Sequence, residues 1–341
     1  MRVAGGFKCV QSLWQQYPSN DWSDAPPKPP RARGLGVSKS HRSRTRNVEE
    51  IELASLFRRF EHEYGHAYAR LSTQLRTHYP EITTQTRRTG RVLRNICFIV
   101  WCCYREGDPK LIPKLFRAAV LLSAQDDYYD NPRIAAAQKD SFRAAINHAL
   151  RTNSFRRDFE RSLQLRDLTS LWSYVAGTIP RSAPQVRSYW VEAACQLNDA
   201  MASEARSHRR ATITYEEYMR TAIHSIGMVF LWATYLAHKN VPMTTMREMA
   251  PVLLRGATVV RLSNDMASYR QHRNKVNALT LAGGSRPEAR IGRLVVQEAE
   301  AFRRAVQGLD VGPHVRDVLL CSMEFLRELY QRSDFHRGPA W

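Results

Sequence analysis

From Val48 onward, apolar residues recur at three-to-four spacing almost without interruption, and no stretch alternates apolar with polar residues as a half-buried strand would. Ile51, Leu53, Leu56 and Phe57 open the pattern, and Phe60 and Tyr64 extend the same stripe. Val92 to Tyr104 is strongly apolar; Asp108-Pro109 and Ile112-Pro113 then mark a turn and a fresh helix start. The periodicity predicts further helices over 133–150, 154–176, 183–207, 214–238, 243–272, 286–305 and 312–331. Breaks fall at Thr178-Ile179-Pro180, Asn240-Val241-Pro242 and Gly283-Gly284. With no internal repeat, the expectation is an all-α fold. It is a single domain over 48–337, a bundle of about ten helices around a central apolar cavity. Hydrophobic residues make up 43% of the 341, enough for a sizeable core.

Residues 1–47 read differently. Pro26-Pro27-Lys28-Pro29-Pro30 is stiff and extended, and Arg31 to Arg46 is basic with almost no apolar residues, so a disordered tail is expected. The formal net charge is +19, which suits nucleic acid, an anionic surface or a polyphosphate substrate. Six cysteines form no CxxC pair and no zinc spacing with histidine, which points to a reduced, cytoplasmic protein. No apolar run reaches the ~18 residues of a spanning helix, so stable membrane insertion is not expected. The first residues, Met1 to Tyr17, lack the unbroken apolar stretch of a signal peptide.

The chemistry concentrates in Asp126-Asp127-Tyr128-Tyr129-Asp130. On a helix Asp126 and Asp130 share a face, with Asp127 beside them. Three carboxylates within one turn repel one another unless a cation sits among them, and hard oxygen donors of this kind suit Mg²⁺. Acids at a helix C-terminus also oppose the helix dipole, so a merely solvated helix end is an awkward alternative. Leu115 to Ala124, just before, is mostly apolar and turns the acids toward the mouth of a core.

A second polar group stands in the apolar helix beginning near Met249. Asn264 and Ser268 lie four apart, His272 continues that face, and Arg261 precedes Asn264 by one turn. Asn and Ser oxygens ligate hard cations, and Arg pairs with phosphate. The alternative is an ordinary exposed polar face.

Together the two segments resemble the class I terpene synthases, in which a DDxxD helix opposes an NDxxSxxxE helix. Asp126 to Asp130 fits the first motif fully, and Asn264-Asp265-Met266-Ala267-Ser268 fits the start of the second. The position that is normally Glu is His272, a poorer Mg²⁺ ligand. Glu204, Tyr215-Glu216-Glu217-Tyr218-Met219-Arg220 and Ser225-Ile226-Gly227 resemble the stretch entering the family's kinked helix. Arg220 stands near the position of a diphosphate-sensing arginine, and Arg332 is the nearest counterpart of a C-terminal one. The DDYYD segment, the Glu-Glu-Tyr-Met string and Leu329 to Phe335 look most like bacterial ent-kaurene synthases, which take ent-copalyl diphosphate in the gibberellin route.

The resemblance implies that three Mg²⁺ ions are held by Asp126, Asp127, Asp130, Asn264, Ser268 and His272. Arg220, Arg261 and Arg332 bind the diphosphate, with Arg220 also counted among the catalytic residues. The reaction is ionisation of an isoprenoid diphosphate and cyclisation of the carbocation, with Phe98, Trp101, Tyr104, Trp172 and Trp232 as candidate pocket aromatics. The Asn264/Ser268 pattern favours cyclisation over chain elongation, which usually places Asp-rich motifs on both helices. Geranylgeranyl or farnesyl diphosphate are alternative substrates, and a homodimer is compatible. A helical nucleic-acid-binding protein would account for the charge but gives no reason for three clustered aspartates, so no nucleic-acid partner is expected.

Overall fold

The computed structural model describes residues 40–85, 91–155, 163–180, 184–207, 213–239, 241–271, 276–283 and 285–332. Within them every regular element is a helix: α1 Ser40–His78, α2 Pro80–Gln85, α3 Arg91–Tyr104, α4 Ile112–Asp130, α5 Ala136–Thr152, α6 Leu163–Thr178, α7 Pro184–Ser207, α8 Tyr215–Ser225, α9 Met228–His238, α10 Met243–Gln271, α11 Ala278–Ala282, α12 Pro287–Gln307 and α13 Pro313–Arg332. The chain divides into two compact units, Met1–Arg58 and Arg59–Trp341. Most of the tail expected at 1–47 lies outside the described residues, but helix α1 already begins at Ser40, inside it. A run of Arg, Ser and Thr carries no core signal, which is why the apolar pattern placed the helix start later.

In the second unit, α9 is the centre. Met228 to Ala237 are all buried, as a helix apolar on every side requires, and α9 packs on α4, α7, α8 and α10. Around it α10 packs on α12 and α13, α7 on α5 and α8, and α3 on α4 and α13. Four tryptophans, Trp101, Trp172, Trp190 and Trp232, are at most 1% exposed. Each indole N–H finds an acceptor: Glu63 at 3.2 Å, Gln125 at 2.6 Å, Thr234 at 2.9 Å and Ser322 at 2.7 Å. An unpaired buried donor of this kind costs about 1–3 kcal/mol.

One predicted helix, 214–238, is two. α8 ends at Ser225 and α9 starts after Gly227, whose φ of 76° is left-handed. A Cβ there would stand within 2.5 Å of Leu122 Cδ1, so glycine answers both to the backbone turn and to the close approach of α4. α8 itself starts on a capping box, with Thr214 Oγ1 accepting from Glu217 N and Glu217 accepting from Thr214 N. Pro251, in contrast, does not break α10; it sits on an exposed face of that helix.

Candidate active site

The aspartate segment forms the last turn of α4, and its two tyrosines explain its orientation. Tyr128 and Tyr129 are 2% and 1% exposed, and their rings meet Phe142 of α5 at 5.0 and 6.4 Å. With that face fixed inward, Asp127 and Asp130 are exposed and Asp126 is half-buried. Burial first, then the charges of Asp130, Glu204 and Asp127, hold the Asp126 carboxyl well above the usual carboxylate range, while Arg261 pulls it down. That field links three elements, because Glu204 is on α7 and Arg261 on α10.

Arg261 is nine-tenths buried at the centre of a network. Its Nη2 pairs with Glu204 Oε1 at 2.6 Å, and its Nε lies 3.0 Å from both Asp265 Oδ1 and Tyr218 Oη. Tyr218 Oη in turn donates to Asp265 Oδ2 at 2.8 Å, and Ser225 Oγ donates to Glu204 Oε2. Burial works against the guanidinium charge, but Asp265, Glu204 and Tyr218 outweigh it and hold its pKa well above the ordinary value. Asp265 also accepts from Ala278 N at 2.9 Å, at the start of α11. This aspartate therefore serves the framework, tying α8, α10 and α11 together.

The other members of the second motif are half-buried on α10. Ser268 Oγ donates to the Asp265 carbonyl at 3.1 Å, leaving its lone pairs for a further partner, and Asn264 lies one turn before it. The expectation for His272, and for the side chain of Arg332, lies outside the described residues. Arg220 is exposed on α8. Among the described residues, no three His, Cys, Asp or Glu side chains converge into a ready-made cage for a metal ion. The donor set still fits Mg²⁺. Asp126, Asp127 and Asp130 supply carboxylate oxygens from one helix turn, while Glu204 and Asp265 are taken up by Arg261, and Mg²⁺ typically takes one or two carboxylates plus water and phosphate oxygens.

The five candidate pocket aromatics do not share one cluster. Phe98 and Trp101 pack on Phe60 at 5.7 and 6.0 Å, and Trp101 also lies under the guanidiniums of Arg59 and Arg105. Trp232 stacks on Phe302 at 5.9 Å, against α12. Phe60 lies on α1 and Phe302 on α12, so each of the three meets a neighbouring helix. Tyr104 pairs with Tyr235 at 5.6 Å, and both hydroxyls are buried without a hydrogen-bond partner. Trp172 hydrogen-bonds the aspartate helix through Gln125, the residue before Asp126, and its ring meets Phe230 at 5.5 Å. Sequence reasoning passed over Gln125, whose signal was a lone amide in an apolar run. A cavity of 80 Å³ between α5 and α7, lined by Ala136, Lys139, Asp140, Ala202, Ala205 and Arg206, is too small for an isoprenoid.

An all-helical bundle with an aspartate turn beside a buried Arg–Glu–Asp–Tyr network has the fold of the class I terpene synthases. Abietadiene synthase from Abies grandis superposes with a TM-score of 0.68 at 14% identity, over 83% of this chain and 39% of its own. Linalool/nerolidol synthase from Streptomyces clavuligerus gives 0.64 at 15%, over 78% and 95%. Isoprene synthase from grey poplar (Populus x canescens), in complex with three Mg²⁺ ions and dimethylallyl-S-thiolodiphosphate, gives 0.60 at 15%, over 82% and 55%. The chain thus spans well under half of the abietadiene synthase. Residues 117–280, which carry both motifs, match the family described as terpene synthase family 2, C-terminal metal binding. No curated protein matches by sequence. The solved structures share this chain's fold, and residues 117–280 are similar to the metal-binding domain of the terpene synthases.

Proposed function

We propose that this chain is a Mg²⁺-dependent class I diterpene cyclase that converts ent-copalyl diphosphate to ent-kaurene. The observation that carries the reading is the Arg261 network on α10, one turn before Asn264, in which Glu204 of α7, Tyr218 of α8 and Asp265 hold the guanidinium within the stretch 117–280 that also contains the aspartate turn. Asp126, Asp127 and Asp130 on one side, and Asn264 and Ser268 on the other, would hold three Mg²⁺ ions, with His272 completing the second set. When bound, the ions supply Lewis-acid charge to the diphosphate leaving group.

The chain's own groups do the rest. Arg261, pre-aimed by Glu204, Asp265 and Tyr218, adds fixed positive charge where the leaving group develops its negative charge, and Arg220 and Arg332 close on the phosphate oxygens. No covalent nucleophile is required. The buried, apolar faces of α4, α6 and α9 exclude water from the carbocation. Trp172, its indole locked by Gln125, offers a face for cation–π attraction of about 2 kcal/mol when desolvated.

The narrower substrate rests on the DDYYD, Glu-Glu-Tyr-Met and C-terminal strings. It is tested by incubating the protein with Mg²⁺ and, separately, ent-copalyl, geranylgeranyl and farnesyl diphosphate, then analysing hydrocarbons by gas chromatography. A tetracyclic diterpene from ent-copalyl diphosphate alone is expected. Product from geranylgeranyl or farnesyl diphosphate instead would overturn the substrate while keeping the reaction class.

A further inference from the structure

The corner that carries the aspartates is closed by a residue that neither motif contains. Lys139, on the first turn of α5, is only 7% exposed, unusual for a side chain that rarely leaves water. Its Nζ donates to the carbonyl of Tyr129 at 2.5 Å. That carbonyl is among the last four of α4, which have no partner within their own helix. The helix has no left-handed closure to satisfy them, because Asn131 is extended (φ −68°, ψ 113°) and Pro132 brings no N–H. The same end bears the negative pole of the helix and three carboxylates, so a buried ammonium there is favoured electrostatically.

Two further contacts run across the corner in the same direction. Tyr128 Oη donates to the Gln138 carbonyl at 3.4 Å, and both tyrosine rings rest on Phe142. Asn131 Oδ1 accepts from Arg133 N at 3.0 Å and sets the turn between the helices. Ring, hydroxyl and ammonium from one side thus hold the turn whose other side is the carboxylate face.

We propose that Lys139 is a positioning residue for the metal-binding turn: its ammonium caps the Tyr129 carbonyl and so fixes the aim of Asp126, Asp127 and Asp130. The inference rests on the reading of that turn as the metal site. An outer partner of this kind typically changes metal affinity by about 10–100-fold when removed.

The test uses the full chain with Lys139→Met and Lys139→Arg, and two readouts. In hydrogen exchange, Lys139→Met is expected to speed exchange in the last turn of α4 by about tenfold while the amides of α9 stay protected. In turnover with saturating isoprenoid diphosphate, Lys139→Met should raise the Mg²⁺ concentration for half-maximal rate by about tenfold, and Lys139→Arg should recover most of that loss. A purely structural lysine would lower the melting temperature and leave the Mg²⁺ requirement alone. An unchanged or lowered Mg²⁺ requirement in a folded Lys139→Met, or unchanged exchange at the end of α4, overturns the proposal. If Lys139→Met does not fold, Lys139→Gln carries the same comparison. Wild-type protein inactive on every isoprenoid diphosphate would instead sink the functional reading, and the metal half of this proposal with it. The exchange arm alone still decides whether Lys139 caps the helix.

Discussion

Replacing Gly227 by Ala attacks the break between α8 and α9 and, through it, the aspartate helix. Two costs follow from the geometry. At φ 76° an alanine sits in the left-handed region, which costs about 1 kcal/mol relative to glycine. Its Cβ would also stand within 2.5 Å of Leu122 Cδ1 and 3.0 Å of Cγ, an overlap that the Leu122 side chain relieves only by moving. Overpacking of this sort costs about 1–3 kcal/mol, so the expected loss is about 2–4 kcal/mol. Urea unfolding followed by circular dichroism reads it as a lower midpoint at unchanged slope. Leu122→Ala in the same background separates the two terms, since it removes the overlap and leaves the backbone strain. The double variant should then be less destabilised than the sum of the singles by about 1–3 kcal/mol. A Gly227→Ala protein within about 0.5 kcal/mol of wild type, or strict additivity with Leu122→Ala, would refute the reasoning.

Two other perturbations probe the charged interior. Arg261→Met strands Glu204 and Asp265 without their 2.6 and 3.0 Å partner, and removal of one member of a buried ion network costs about 3–5 kcal/mol. A loss below about 1 kcal/mol in urea unfolding would show that the network carries little. His238, whose Nε2 is buried without a partner, is pushed down to about 4 by burial and by the charge of Lys114. Between pH ~6.5 and about 4 the unfolded chain therefore binds a proton that the folded chain refuses, and stability falls as pH falls through that window. Comparison of wild type with His238→Gln at pH 7 and pH 4.5 should show a shallower pH dependence in the variant, and equal slopes would contradict it.

The helical class was legible because apolar spacing records helix faces directly. The aspartate turn was legible because three carboxylates crowded into one turn repel one another unless a cation joins them. What Tyr128 and Tyr129 do was hidden inside the same motif: they are the buried face, and Phe142 receives them. The division at Gly227 escaped the periodicity because residues on both sides keep the same apolar spacing across a turn made by one backbone conformation. Arg261 was visible as a cation near Asn264. Its pairing with Asp265 is a local i,i+4 contact, but its anchoring by Glu204 and Tyr218, from two other helices, depends on packing that no local pattern encodes. The aromatics were least legible. Composition marks Phe98, Trp101 and Trp232 as large and apolar but does not give their neighbours, Phe60, Glu63 and Phe302. Lys139 carries no sequence signal at all, because its burial against the Tyr129 carbonyl follows from the packing of α5 on the end of α4.

The central claim is that Asp126 and its neighbours hold the cation that drives ionisation of an isoprenoid diphosphate. Its most direct test is Mg²⁺-dependent release of inorganic diphosphate by wild type and by the Asp126→Ala/Asp130→Ala double variant, with circular dichroism confirming equal helix content. The account predicts release by wild type with Mg²⁺, none after chelation, and loss of at least about 10³-fold in the variant. Full release by the double variant, or release by wild type without divalent metal, would contradict it.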